Sequence, residues 1–375
     1  MKIAVNTRLL LKGQLEGLGL FAHEVLRRLV RQHPGDQFIF FFDRPYNPSF
    51  IYGENVEPVV LFPPARHPFL FVWWFELSVR RALKKHLPDV FLSPDNFLTL
   101  GTDVKTVLVT HDLAHAHFPD QLPFFQRKYY GHFAPKFNRR ADRIVAVSHF
   151  TRQDLIERYQ LPPEKIAVTC NGCREIFRPL GEAEKQVVRD KYAGGLPYFF
   201  YVGAVHPRKN VHRLIAAFDL FKNKTGAPAK LLIAGRFAWK AGAVRDAYQK
   251  AAHRDDILFL GYVDDEALAG LMASALACTY LSLFEGFGVP ILEAMHCDVP
   301  VITSNVSSMP EVAGKAGILV NPLDTSEMAD AMQQIWGDEH LREKLIGEGR
   351  QQRLRFGWQA AADAVYQNLL LAVTS

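Results

Sequence analysis

Cysteine is scarce in this chain, and what there is builds no framework. Four cysteines stand in 375 residues, and only Cys170-Asn-Gly-Cys173 has a spacing that invites a redox or half-zinc reading. No second C-x2-C or C-x2-H element accompanies it, which argues against a zinc site and favours reduced thiols beside a turn. A disulfide scaffold is likewise excluded, as expected for a reducing compartment. Long hydrophobic runs are missing too. The strongest of the first half, Phe69–Phe75, falls far short of the ~20 residues that span a bilayer. The opening MKIAVNTRLL reads as a short strand and not as a charged-then-apolar export signal. The expectation is a cytoplasmic protein, with peripheral contact to the inner face of the cell membrane as an option. No low-complexity segment and no short-period repeat interrupts the chain.

What is present is an ordinary globular composition, 49% hydrophobic and 22% charged, with a length that favours two or three domains. Short apolar, β-branched or aromatic runs alternate with amphipathic helical stretches. The strand candidates are Ile3–Asn6, Phe38–Phe42, Val90–Ser93, Thr106–Thr110 and Ile144–Val147, then Tyr198–Gly203, Leu231–Ala234, Ile257–Leu260, Ala277–Leu281 and Val299–Thr303. Strands alternating with helices predict parallel sheets joined by βαβ crossovers. So many units suggest an α/β chain with two Rossmann-like domains. The expected boundaries are 1–180 and 195–355, with the break inside Ile176–Pro197, where a charged helix ends in a Gly-Gly-Leu-Pro turn.

Charge is unevenly spread. Residues 1–180 carry 24 Lys and Arg against 17 Asp and Glu, and the remainder 20 against 22. The first half therefore faces something anionic. No nucleic-acid reader module is recognisable, so a lipid surface or a phosphorylated acceptor ranks above nucleic acid. Segment 67–87 joins Trp73, Trp74 and Phe75 to Arg80, Arg81, Lys84 and Lys85. Two readings fit it: an amphipathic element lying in a headgroup layer, or a solvated basic face over an aromatic core.

The densest signal is Glu285-Gly-Phe-Gly-Val-Pro-Ile-Leu-Glu293. An apolar strand precedes it, and Pro290 starts a helix, a position where its missing N–H costs nothing. The N–H groups of Phe287, Gly288 and Val289 at that helix entrance suit an anion such as a diphosphate. Glu285 falls at the strand's carboxyl end, where open α/β sheets bind ligands. Glu293, in the first turn, offers acceptors for a vicinal diol such as that of ribose. These residues resemble the E-x7-E signature of retaining glycosyltransferases of family 4, and the continuation AMHCDVPVITSNVSSMPEVAG resembles the family's as well.

Other segments follow the same order. Tyr201–Phe218, with Gly203, Pro207, Arg208 and Lys209, resembles the family's loop whose basic residues hold the donor diphosphate. Where many relatives carry Arg after the glycine, this chain has Ala204, which leaves the neutralising charge to Arg208 and Lys209. Gly261-Tyr262-Val263 resembles the nucleobase loop. Asp264 and Asp265, followed by Glu266, read as a helix N-terminus sooner than as metal ligands. Gly17-Leu-Gly19 after the first strand is equally a turn or a glycine loop where donor phosphate and acceptor meet. His111 matches a histidine that contacts the transferred sugar in relatives. His115 and His117 nearby read as packing or hydrogen-bonding groups. Ser148 suits a helix cap. Arg174 stands where relatives often have Asp, and no role is attached to it.

The resemblance implies the GT-B fold, two Rossmann-like domains with parallel sheets facing a central cleft. It also implies a last helix, 357–373, that returns to the N-terminal domain. It implies retaining transfer of a hexose, mannose first, from a nucleotide-diphosphate sugar such as GDP-mannose or a UDP-sugar. The acceptor would be a glycan, lipid-linked or other hydroxyl in cell-envelope polysaccharide synthesis. No cofactor and no metal is expected, because basic residues and a helix dipole neutralise the diphosphate. Glu285, Arg208, Lys209 and His111 are the catalytic candidates, and Glu293 is the ribose grip. Two rivals stand beside this reading. One is a nucleotide-sugar-binding protein without transfer activity. The other, a dinucleotide oxidoreductase, has Ala22, a permitted variant, at the third glycine and is weakened by Asp36 sitting in a turn after Pro34-Gly35.

Overall fold

The structure, a computed structural model, describes residues 1–13, 15–65, 67–236 and 242–374. The chain divides into two compact units, Met1–Asn171 with Gly357–Ser375, and Gly172–Phe356. The division lies ahead of the Ile176–Pro197 stretch, so the charged helix Glu182–Ala193 belongs to the second unit.

Among the described residues, unit 1 holds a seven-stranded sheet of order β3-β2-β1-β4-β5-β6-β7. The strands are β1 (Lys2–Asn6), β2 (Gln37–Phe42), β3 (Val56–Val60), β4 (Val90–Ser93), β5 (Lys105–Thr110), β6 (Arg143–Ala146) and β7 (Ile166–Val168). Every pairing is parallel. Parallel strands are covered on both faces, which is why Ile3–Val5 and Phe38–Phe42 are continuous apolar runs without alternation. The helix Trp358–Thr374 completes this unit. It packs on the helix Leu18–Gln32 and over β5 and β6. Trp358 meets Phe21 edge-on at 6.1 Å, and Tyr366 stacks on His33 at 3.5 Å. Tyr366 also donates to Asp36 at 2.7 Å.

Among the described residues, unit 2 holds a six-stranded parallel sheet of order β10-β9-β8-β11-β12-β13. Its strands are β8 (Tyr198–Val202), β9 (Lys230–Ala234), β10 (Ile257–Gly261), β11 (Ala277–Tyr280), β12 (Val301–Ser304) and β13 (Gly317–Val320). Strand order reverses between β1 and β4 in one sheet and between β8 and β11 in the other. Such reversal points leave a crevice at the strands' carboxyl ends.

Three strands escape the sequence reading: β3, β7 and β13. All three are sheet edges. An edge strand is half covered, so it need not be apolar throughout. β3 tolerates Glu57 and Pro58, the latter a residue that a central strand excludes.

Candidate active site

Gly203, Arg208, Lys209 and the segment 285–289 gather at the β8–β11 reversal, whereas Tyr262 and Val263 follow β10 at the edge of the sheet. β8 exits through Gly203, whose φ of 145° suits glycine and whose N–H donates to the Ala234 carbonyl at 3.0 Å. The chain then forms the short turn Pro207–Lys209, which Asn210 ends in a left-handed conformation before the helix Val211–Thr225. Asn210 is buried and donates to the carbonyls of Leu281 and Pro322, at 3.0 and 2.6 Å. This ties the turn to the loop after β11.

That tie sets the charges. Arg208 donates to the Phe284 carbonyl and to Glu285 Oε2, the latter at 3.2 Å. Lys209 Nζ lies 2.6 Å from Glu285 Oε1 and donates to the Tyr280 hydroxyl at 2.8 Å. Burial alone would raise the Glu285 carboxyl; Lys209 foremost and then Arg208 more than reverse it and hold it at about 2. The site thus sets two cations around one carboxylate that they keep ionised.

Glu285 leads directly to the helix Val289–His296, capped by Gly288 at φ 105°. A side chain there would be strained and would press on Ile291 Cδ1 at 3.1 Å. Pro290 occupies the second helical position, one later than the sequence suggested. Ser308 donates from its hydroxyl to the carbonyls of Glu285 and Phe287, at 2.9 and 2.8 Å, and the Phe287 ring packs on Phe356. The N–H groups of Gly288 and Val289 lie at the helix start, where such groups suit an anion.

Glu293 is the fifth helical residue, one position further in than expected, and is buried. Burial pushes its carboxyl up to about 7, against the pull of Arg174. Arg174 was not assigned a role from sequence, yet it bridges Glu293 at 3.3 Å and Asp265 at 2.6 Å. Its guanidinium also covers Phe177 at 4.9 Å. The partners lie 119 and 91 residues away along the chain, so no local pattern could have signalled them. Asp264 caps its helix by accepting from the Ala267 N–H at 2.8 Å. Tyr262, beside Gly261 and Val263, is exposed with Arg236 over its ring at 4.6 Å.

The predicted residues of unit 1 stand on their own. His111 is buried, its Nε2 2.8 Å from the Pro94 carbonyl and its ring edge-on to Phe21. A carbonyl only accepts, so Nε2 carries the proton and Nδ1 is the acceptor. Burial lowers its pKa, which keeps the ring neutral. His115 pairs with Tyr159 and His117 with Asp154, at 2.8 and 2.7 Å. Gly17 caps the helix Leu18–Gln32, and a Cβ on Gly19 would come within 2.8 Å of the Leu9 carbonyl. Ser148 accepts from the Thr151 N–H at 3.0 Å, a helix cap as read.

Comparison with known proteins fits both halves. Residues 15–174 match the family described as Glycosyltransferase Family 4, and residues 184–352 match Glycosyl transferases group 1. The O-antigen chain mannosyltransferase B of Escherichia coli is 30% identical over 371 residues, 96% of this chain and 97% of that one. The chain belongs to glycosyltransferase family 4. This family 4 glycosyltransferase has the GT-B type of fold, seen also in solved structures of low sequence identity. Sucrose-phosphate synthase from Thermosynechococcus elongatus superposes with a TM-score of 0.77 at 20% identity, covering 99% of each chain. Anabaena Alr3699/HepE in complex with UDP-glucose gives 0.76 at 16% identity, covering 99% of this chain and 100% of that one.

Proposed function

We propose that this glycosyltransferase moves a hexose, mannose first, from a nucleotide-diphosphate sugar to a glycan hydroxyl with retention of configuration, in bacterial polysaccharide synthesis. The observation that carries the reading is the Arg208–Lys209–Glu285 cluster, two cations around one carboxylate beside the helix entrance at Gly288. A departing nucleoside diphosphate gains negative charge as the sugar bond breaks. Two cations and the Gly288 and Val289 amides stabilise that charge without a metal ion. Glu285, held ionised by the same cations, orients sugar hydroxyls as an acceptor. Glu293 grips the ribose diol through its two acceptor oxygens when ionised. Tyr262 and Val263 meet the base, Gly203 lets the backbone approach, and Gly17 and Gly19 give the same access in unit 1. The acceptor nitrogen of His111 takes a hydrogen bond from a sugar hydroxyl. The E. coli relative's name, a mannosyltransferase of an O-antigen chain, supports the sugar and the pathway class. The complex of Alr3699/HepE with UDP-glucose supports a nucleotide-sugar donor.

The test is to incubate the full chain with GDP-mannose and a panel of UDP-sugars, with and without mannose-terminated oligosaccharides, and to follow nucleoside diphosphate release and product anomer. Acceptor-dependent release with an α-linked product supports the reading. Tight donor binding with no turnover on any acceptor favours a binding protein without transfer activity.

A further inference from the structure

Unit 1 carries an apolar, cation-rimmed surface that the transfer chemistry does not use. From Pro68 to His86 the chain is one helical run with a wider π turn, Trp74–Val79, in its middle. That run divides the aromatics the sequence grouped together. Trp74 and Phe75 enter the core, Trp74 donating to the Leu61 carbonyl and Phe75 stacking on Phe97 at 5.7 Å. Phe69 (67% exposed), Trp73 (53%) and Leu77 (40%) recur every four residues along an outer face.

A second element extends the face. Phe124 and Phe125, 58% and 59% exposed, open the helix Phe124–Arg140, and the Phe125 ring is 6.1 Å from that of Phe69. Phe62, 79% exposed, is held close by by the Ser78 hydroxyl, which donates to its carbonyl. Exposed aromatics in such number are unusual on a surface that only meets water.

Charge decides what covers them. Arg127 and Lys128 each lie 5.8 Å from the Phe124 ring. Arg80, Arg81, Lys84 and Lys85 are exposed on the last turns of the helical run. Of the acids in these segments, Glu76 is turned to the N–H groups of Leu100 and Gly101, and Asp120 is held by Arg127 at 2.8 Å. Aromatic wedges ringed by cations match a layer whose headgroups are anionic and whose interior is apolar.

We propose that this face docks on an anionic lipid bilayer, with Phe62, Phe69, Trp73, Phe124 and Phe125 entering the acyl boundary and the basic side chains pairing with lipid phosphates. Docking of this kind is peripheral, since no described helix is long and apolar enough to cross a membrane.

The test is flotation of the full chain with phosphatidylcholine vesicles, with and without phosphatidylglycerol, at low and high ionic strength. The wild type is expected to float with the anionic vesicles at low salt. The bound fraction should drop about tenfold both in F69S/W73S/F124S/F125S and in R81E/K84E/K85E. Both variants change exposed positions away from the candidate site, so melting temperature and turnover on a water-soluble acceptor should be kept. Absence of wild-type flotation overturns the proposal, as does flotation of both variants at the wild-type level, or equal flotation with phosphatidylcholine alone. A lipid-free dimer that the serine variant abolishes would also overturn it, by making the face a contact between two copies.

Discussion

At the reversal point of unit 1, Arg8 follows β1 and Asp95 follows β4, and the two form a buried ion pair at 2.6 Å. Asn6 adds hydrogen bonds to Ser93 and Asp95, and the Arg8 guanidinium lies 4.5 Å from the Phe97 ring. At the reversal point of unit 2, two cations, Arg208 and Lys209, share one carboxylate, Glu285, beside a glycine-capped helix. The same topology thus ends in a one-to-one buried ion pair in one unit and in two cations around one carboxylate in the other. Topology supplies the crevice; under the proposed function, the local side chains make the unit 2 crevice the one that takes the diphosphate.

The largest expected effect separates the two crests. Lys209→Ala should lower kcat/KM by about 10²- to 10³-fold through lost stabilisation of the leaving diphosphate, with a smaller loss of stability because Arg208 still partners Glu285. Arg8→Ala should do the reverse. It strands the buried Asp95 and should cost about 3–5 kcal/mol of unit 1 stability, read by chemical denaturation. If Arg8→Ala weakens donor binding as strongly as Lys209→Ala does, the contrast between the crests fails.

A smaller effect comes from proton linkage. The folded state holds Glu293 at about 7, above its ordinary 4.5. Its folded form therefore keeps a proton that the unfolded chain has released, and this contribution is full below about 4.5 and lost as pH rises through about 7. Glu285 acts with opposite sign: held at about 2, it contributes above 4.5 and the contribution is lost as pH falls towards 2. Glu293→Gln should flatten the decline in stability between about pH 4.5 and 7 by up to about 3 kcal/mol. An unchanged profile in that variant would show that other groups govern the window.

The smallest effect concerns Arg174. Removing its charge in Arg174→Ala should push the Glu293 carboxyl higher still and weaken donor affinity at neutral pH by about tenfold. Affinity should recover as pH rises, while Arg174→Lys keeps most of it. A loss that does not depend on pH would make Arg174 a packing residue only.

The central strands were legible because each is buried on both faces and writes itself as an apolar run: β1, β2, β8 and β11 are examples. The edges β3, β7 and β13 were not, since a half-covered strand may hold Glu57 or Pro58, or be as short as Ile166–Val168. Glu285, Arg208 and Lys209 were legible as candidates because each sits in a strand-to-helix turn with glycine and proline at fixed offsets. Their mutual pairing, and the Arg174 bridge to Glu293 and Asp265, depend on distant segments meeting. The split of Trp73 from Trp74 depends on which face of the helical run meets the core, one residue's rotation being enough to separate the two.

Hydrogen–deuterium exchange of the full chain with and without GDP tests the central claim most directly. The account predicts slowed exchange at residues 203–210 and 285–293, abolished in Arg208→Ala/Lys209→Ala, and no change at residues 6–10 and 93–97. Protection centred on the Arg8–Asp95 crest, with the Arg208–Lys209 turn unaffected, would contradict it.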